Sequence, residues 1–167
     1  MTDEAALAAR AAELVGSLAA AGKVATTAES CTGGWIAKAL TDVPGSSAVF
    51  GYGAVSYSND AKQALLGVSE QTLATDGAVS EATVREMVGG ALDVSGADLG
   101  VAVSGIAGPD GGSADKPVGT VWFAWGMRDG DAVSIDCERH VFAGDRDSVR
   151  RQTVLKALDG LGDRLNA

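Results

Sequence analysis

Leu99-Gly100-Val101-Ala102-Val103-Ser104 constrains the fold more than any other stretch of the chain. A short run that is apolar on both faces belongs at the buried centre of a sheet covered on each side. The segments around it alternate between helix and strand patterns. Residues 3–21 read as an amphipathic, Ala-rich helix with Leu7, Leu14, Val15 and Leu18 on one stripe and Gly22 as its C-cap. Lys23 to Ala28 reads as a strand, Thr32 to Leu40 as a helix and Pro44 to Ser47 as a loop. Ala48 to Tyr57 reads as a strand with alternating side chains. Ser58-Asn59-Asp60 starts a short helical segment that ends near Gly67, and helices over 69–75 and 80–94 follow, the second capped by Ser80. Strands over 118–127 and 132–142 meet at the Asp129-Gly130 hairpin signal, and a last helix runs over 145–165 behind Asp145. This order predicts one α/β domain over residues 1–167, a three-layer α/β/α arrangement around a mixed, mostly parallel sheet.

Composition narrows the function classes. The apolar content of 46% gives a globular core, and no apolar run approaches the length of a membrane span. The net charge of −9 speaks against nonspecific binding of nucleic acid or anionic membrane, whereas a small anionic substrate needs only a few convergent basic residues. Cys31 and Cys137 provide no disulfide framework, and the N-terminus has no basic start with an apolar core. A reducing cytoplasm is therefore the expected setting.

Between the first strand and the next helix lies Thr27-Ala28-Glu29-Ser30-Cys31-Thr32-Gly33-Gly34. A serine at such a turn exposes a hydroxyl beside backbone N–H groups, donors that suit an oxyanion or a phosphate. Gly33 and Gly34 allow close approach of the backbone to a ligand. The same residues also suit an ordinary helix cap, with Ser30 or Thr32 closing the N-terminus.

A serine nucleophile needs a base. The one histidine, His140, lies inside a strand pattern and reads as structural; Cys137, three residues before it, faces the opposite side, so no metal site of zinc type is expected. Lysine serves as a base when neutral, and Lys62 lies just past a strand end in the first turn of a helix, where Tyr57 can share its pocket. The competing reading is a solvated surface lysine. The long loop Gly105 to Gly119 follows the central strand, where α/β folds place ligands, and matches neither the P-loop nor the dinucleotide fingerprint. Arg146 opens the last helix, where the dipole disfavours a cation, so an anionic partner is expected: a ligand phosphate or carboxylate, or a surface salt bridge.

Several blocks together resemble the CinA family, in particular its C-terminal domain and the stand-alone nicotinamide-nucleotide amidohydrolases. They are the octet above, Tyr57-Ser58-Asn59 with Lys62, Gly77-Ala78-Val79-Ser80, Ser104-Gly105-Ile106-Ala107-Gly108-Pro109, Lys116-Pro117-Val118-Gly119-Thr120-Val121 and Gly144-Asp145-Arg146. They run in the family's order from about residue 24 to residue 153. Larger family members add an N-terminal molybdopterin-binding-like domain, which this sequence is expected to lack. The resemblance implies an α/β/α fold and a homodimer; no cofactor is expected, and no metal either, since no Cys/His cluster or paired carboxylate spacing supports a site. It implies hydrolysis of the carboxamide of nicotinamide mononucleotide (NMN) to nicotinic acid mononucleotide and ammonia, as part of pyridine nucleotide salvage. The family's nucleophile maps to Ser30, its tyrosine to Tyr57 and its lysine to Lys62. Glu29, Cys31, Thr32, Gly33, Gly34, Asn59, Ser104, Gly105, Gly108 and Arg146 form the expected substrate-binding set, with Glu29 balancing the pyridinium charge or serving a buried structural pairing. The alternative is a non-catalytic nucleotide-binding module of the same family.

Overall fold

The computed structural model describes residues 3–167. Its strands are β1 (Ala25–Glu29), β2 (Phe50–Val55), β3 (Leu99–Gly105), β4 (Thr120–Asp129) and β5 (Ala132–Val141). Its helices are α1 (Glu4–Ala21), α2 (Trp35–Thr41), α3 (Asn59–Leu66), α4 (Glu70–Asp76), α5 (Glu81–Ser95) and α6 (Arg146–Leu165). Helix starts follow local chemistry: the side chains of Ser58, Ser69, Ser80 and Asp145 each accept a backbone N–H from three residues on. None of the described helices is long and apolar enough to cross a membrane.

The sheet order is β2-β1-β3-β4-β5. The pairings of β1 with β2 and β3 are parallel, and those of β3 with β4 and β4 with β5 are antiparallel. The expected mixed sheet is present, with its parallel part at β2, β1 and β3. One face packs on α1, α2 and α6 through Leu99, Val101, Val103, Val121, Phe123 and Trp125. The other face packs on α5, which contributes Val84, Met87, Val88, Ala91 and Leu92.

The two faces differ in side-chain size, and that difference sets the layer spacing. Ala54, Ala28, Ala102 and Ala124 lie in register across four strands. With Gly100 and Gly126 they leave a shallow floor, and a Cβ at Gly126 would stand 2.7 Å from the Leu92 side chain. Bulk on this face therefore comes from the helix. On the opposite face Trp125 provides the bulk and α6 yields: the indole N–H donates to the Ala157 carbonyl at 3.1 Å, and a Cβ at Gly160 would fall 2.1 Å from the ring. Gly160→Ala is expected to destabilise the protein by about 1–3 kcal/mol although alanine is the better helix former, because overpacking outweighs propensity. Urea unfolding of the two proteins measures the difference.

Two boundaries differ from the sequence reading in ways that matter for the site. Helix α2 begins at Trp35 rather than Thr32, because Gly33 (φ 61°) and Gly34 (φ 100°) hold the preceding turn in the left-handed region. Strand β2 is an edge strand, so Gly51, Tyr52 and Gly53 are exposed in succession rather than alternating. It ends at Val55, leaving Tyr57 in the connection to α3.

Candidate active site

The three parallel strands end on the same side of the sheet, the position where open α/β sheets bind ligands. Two hydrogen bonds carry the ladder one residue further: Ser30 N–H to the Val103 carbonyl at 3.1 Å, and Ser56 N–H to the Glu29 carbonyl at 2.8 Å. Ser30 is thereby fixed by the sheet, directly beyond β1. A cavity of about 270 Å³ opens there, lined by Ser30, Cys31, Tyr57, Lys62, Ala78, Val79, Ser104, Gly105, Ile106, Ala107, Gly108, Asp110 and Arg146. That is just under the usual range of small-molecule pockets, about 300–1,000 Å³.

Lys62 is only 1% exposed, which overturns the solvated alternative. Its Nζ lies 2.9 Å from Ser30 Oγ, 2.8 Å from the Ser56 carbonyl and 3.3 Å from the Tyr57 carbonyl. A neutral amine has two N–H donors and one lone pair. The two carbonyls take the donors, and the lone pair is left for the Ser30 hydroxyl hydrogen. Burial lowers the lysine pKa from its ordinary value, which favours this neutral form. The neighbouring Cys31 is buried, and its thiol is pushed up to about 12, so the cysteine stays protonated at neutral pH.

Tyr57 approaches the lysine through its backbone carbonyl. Its phenol points elsewhere: the hydroxyl accepts from Arg146 Nη2 at 3.0 Å. Arg146 Nη1 also donates to the Gly108 carbonyl at 2.6 Å. Arg146 thus ties the connection after β2 to the glycine-rich loop, with Tyr57 exposed at the rim. No ion pair of Arg146 with a carboxylate occurs among the described residues, so the salt-bridge reading of its position is overturned. The loop is a fixed wall: Gly119 N–H bonds to the Ile106 carbonyl at 2.7 Å, and Lys116 Nζ bonds to the Asp76 carbonyl at 2.9 Å.

Glu29 lies apart from the cavity. It is fully buried and accepts from Thr32 Oγ1 (2.6 Å), Ile36 N–H (2.8 Å) and Ala37 N–H (2.9 Å). Its carboxylate is the acceptor for the free amides at the start of α2, so the structural pairing holds and neither Ser30 nor Thr32 acts as the cap. Thr32, Gly33 and Gly34 line a separate depression beside Trp35, Arg150 and Arg151, and exposed Asn59 at the start of α3 does not line the cavity. His140 is paired with Glu138 at 2.8 Å and stacked on Phe142, outside the cavity. Among the described residues no group of three or more His, Cys, Asp or Glu side chains is arranged to hold a metal.

The cavity also recruits residues not singled out individually from the sequence: Ala78, Val79, Ile106, Ala107 and Asp110. The first two fall in the Gly77–Ser80 block and the others in the glycine-rich loop, so motif position carried a signal while residue type did not.

Comparison with known proteins agrees with this architecture. The family model of the CinA C-terminal domain matches residues 7–165. The chain is 57% identical over 144 residues to the nicotinamide-nucleotide amidohydrolase PncC of Escherichia coli strain K12, covering 86% of each. It is 60% identical over 136 residues to the PncC of Pseudomonas putida, covering 81% of this chain and 82% of that protein. The crystal structure of a competence damage-inducible protein A from Klebsiella pneumoniae superposes with a TM-score of 0.90 at 44% identity, over 96% of this chain and 97% of that one. A match spanning nearly the whole chain, joined to the same fold, means that the protein belongs to the CinA C-terminal domain family.

Proposed function

We propose that this protein is a nicotinamide-nucleotide amidohydrolase that converts nicotinamide mononucleotide and water to nicotinic acid mononucleotide and ammonia. The observation that carries the reading is the buried Lys62 Nζ at 2.9 Å from Ser30 Oγ, at the mouth of a small-molecule cavity. The names of the Escherichia coli and Pseudomonas putida relatives supply the substrate.

Ser30 Oγ attacks the carboxamide carbon while its proton passes to Lys62 Nζ. The carbonyl oxygen becomes an oxyanion beside the Cys31 amide, at the cavity wall. As the tetrahedral intermediate collapses, the C–N bond breaks, and the lysine ammonium returns the proton to the departing nitrogen, releasing ammonia. Water then adds to the Ser30 ester and gives a proton to Lys62. The ester C–O bond breaks and Ser30 Oγ recovers that proton. Arg146 binds the substrate phosphate from the rim.

Incubation with NMN, nicotinamide riboside and free nicotinamide, with ammonia and nucleotide products quantified, tests the reading; no ammonia from NMN refutes it. Arg146→Ala is expected to lower kcat/KM for NMN by about 10- to 100-fold, the scale of one charge-assisted contact. Residual turnover of the phosphate-free amides should change little. Equal losses on all three substrates assign Arg146 to holding Tyr57 and Gly108 in place.

A further inference from the structure

We propose that Arg150 is a positioning residue that orients the Ser30 turn to receive the oxyanion; this rests on the acyl-transfer reading above. Arg150 projects from the second turn of α6. Its Nε donates to the Cys31 carbonyl and its Nη2 to the Thr32 carbonyl, each at 3.0 Å. A planar guanidinium spans two successive carbonyls in a way that an ammonium cannot. The Trp35 ring, 5.4 Å from Arg150 Cζ, supports the guanidinium from α2.

Peptide geometry transmits this grip. In a trans peptide the C=O and the following N–H point in opposite directions. Drawing the Cys31 carbonyl toward α6 turns the Thr32 N–H away from α6. The Ser30 carbonyl accepts from Gly33 N–H at 3.0 Å, which in turn sends the Cys31 N–H the other way. Among the described residues neither the Cys31 nor the Thr32 N–H donates to a backbone carbonyl, although both residues are buried. Of the two residues, Cys31 lines the cavity beside Ser30, so its amide is the one placed for a developing negative oxygen, and the Arg150 bond to the Cys31 carbonyl holds that residue in place. Glu29 secures the far end of the same turn from the N–H side, so a carboxylate and a guanidinium hold it between them.

The test compares Arg150→Ala and Arg150→Lys with wild type. Expected is a fall in kcat of about 100-fold, the scale of one lost oxyanion donor, with KM for NMN within about threefold. Added methylguanidinium should restore part of kcat in Arg150→Ala but none in Ser30→Ala, whereas Arg150→Lys stays impaired. Labelling of Ser30 by a fluorophosphonate, followed by intact mass without NMN, should slow in step with kcat. Unchanged kcat and labelling in Arg150→Ala overturn the proposal. So does a loss that follows a lower Tm, raises KM and resists methylguanidinium. A wild-type protein that labels at Ser30 yet releases no ammonia from NMN faults the substrate reading instead, and the labelling rates of the variants then decide the role of Arg150.

Discussion

Ser30→Ala is expected to lower kcat for NMN by about 10⁴-fold or more while leaving the protein folded, because no other nucleophile is available to form the acyl intermediate. Cys31 is the nearest alternative, and its thiol, at about 12, is essentially undissociated at neutral pH. The substitution removes one hydroxyl from a residue held by a backbone bond to Val103, and Lys62 retains the Ser56 and Tyr57 carbonyls as partners. The stability change should therefore be about 1 kcal/mol, the net worth of a single hydrogen bond. Binding of NMN, measured by calorimetry on the inactive variant, should persist, since the contact proposed for the phosphate, Arg146, is untouched. Turnover within about tenfold of wild type would rule out acyl transfer and favour direct attack by water.

The sequence carried more of the site than its residue types alone suggest, because the motifs coincide with strand ends. Ser30, Lys62, Ser104, Gly105, Gly108 and Arg146 were legible from their places after a strand or at a helix start, and the fold brings them to one cavity. Glu29 was ambiguous for a physical reason: a carboxylate before a serine turn suits a cationic ligand and a set of free amides equally. Only the distances to Ile36 and Ala37 decide for the amides. Tyr57 sits in the expected place, but its phenol partner is Arg146, 89 positions away in sequence. Arg150 left no local signal, since its acceptors are backbone carbonyls more than a hundred positions earlier, identical in kind to every other carbonyl in the chain. The layers were legible from periodicity, whereas the row of alanines under α5 emerges only once register sets four strands side by side.

Lys62→Arg and Lys62→Met are each expected to abolish turnover, by about 10³-fold or more, for different reasons. Guanidinium keeps the positive charge but is protonated at any workable pH, so it cannot take the Ser30 proton. Methionine fills similar space and has no basic nitrogen. In the proposed mechanism the neutral amine is the active form, and burial lowers its pKa, so kcat/KM should rise about tenfold per pH unit on the acid side and level above that pKa. The same shift acts on stability. Between the lowered folded pKa and the ordinary lysine value, the unfolded chain binds a proton at Lys62 that the folded protein does not. The lysine contribution to stability therefore grows as pH rises through that window, and the burial penalty is full below it. Lys62→Met removes the group, so the difference in unfolding free energy between wild type and variant should move in favour of wild type as pH increases. Urea titrations across that range, set beside the pH–rate profile, measure one ionisation by two routes. Substantial activity in Lys62→Arg, or a difference in stability that stays flat with pH, would remove Lys62 as the general base.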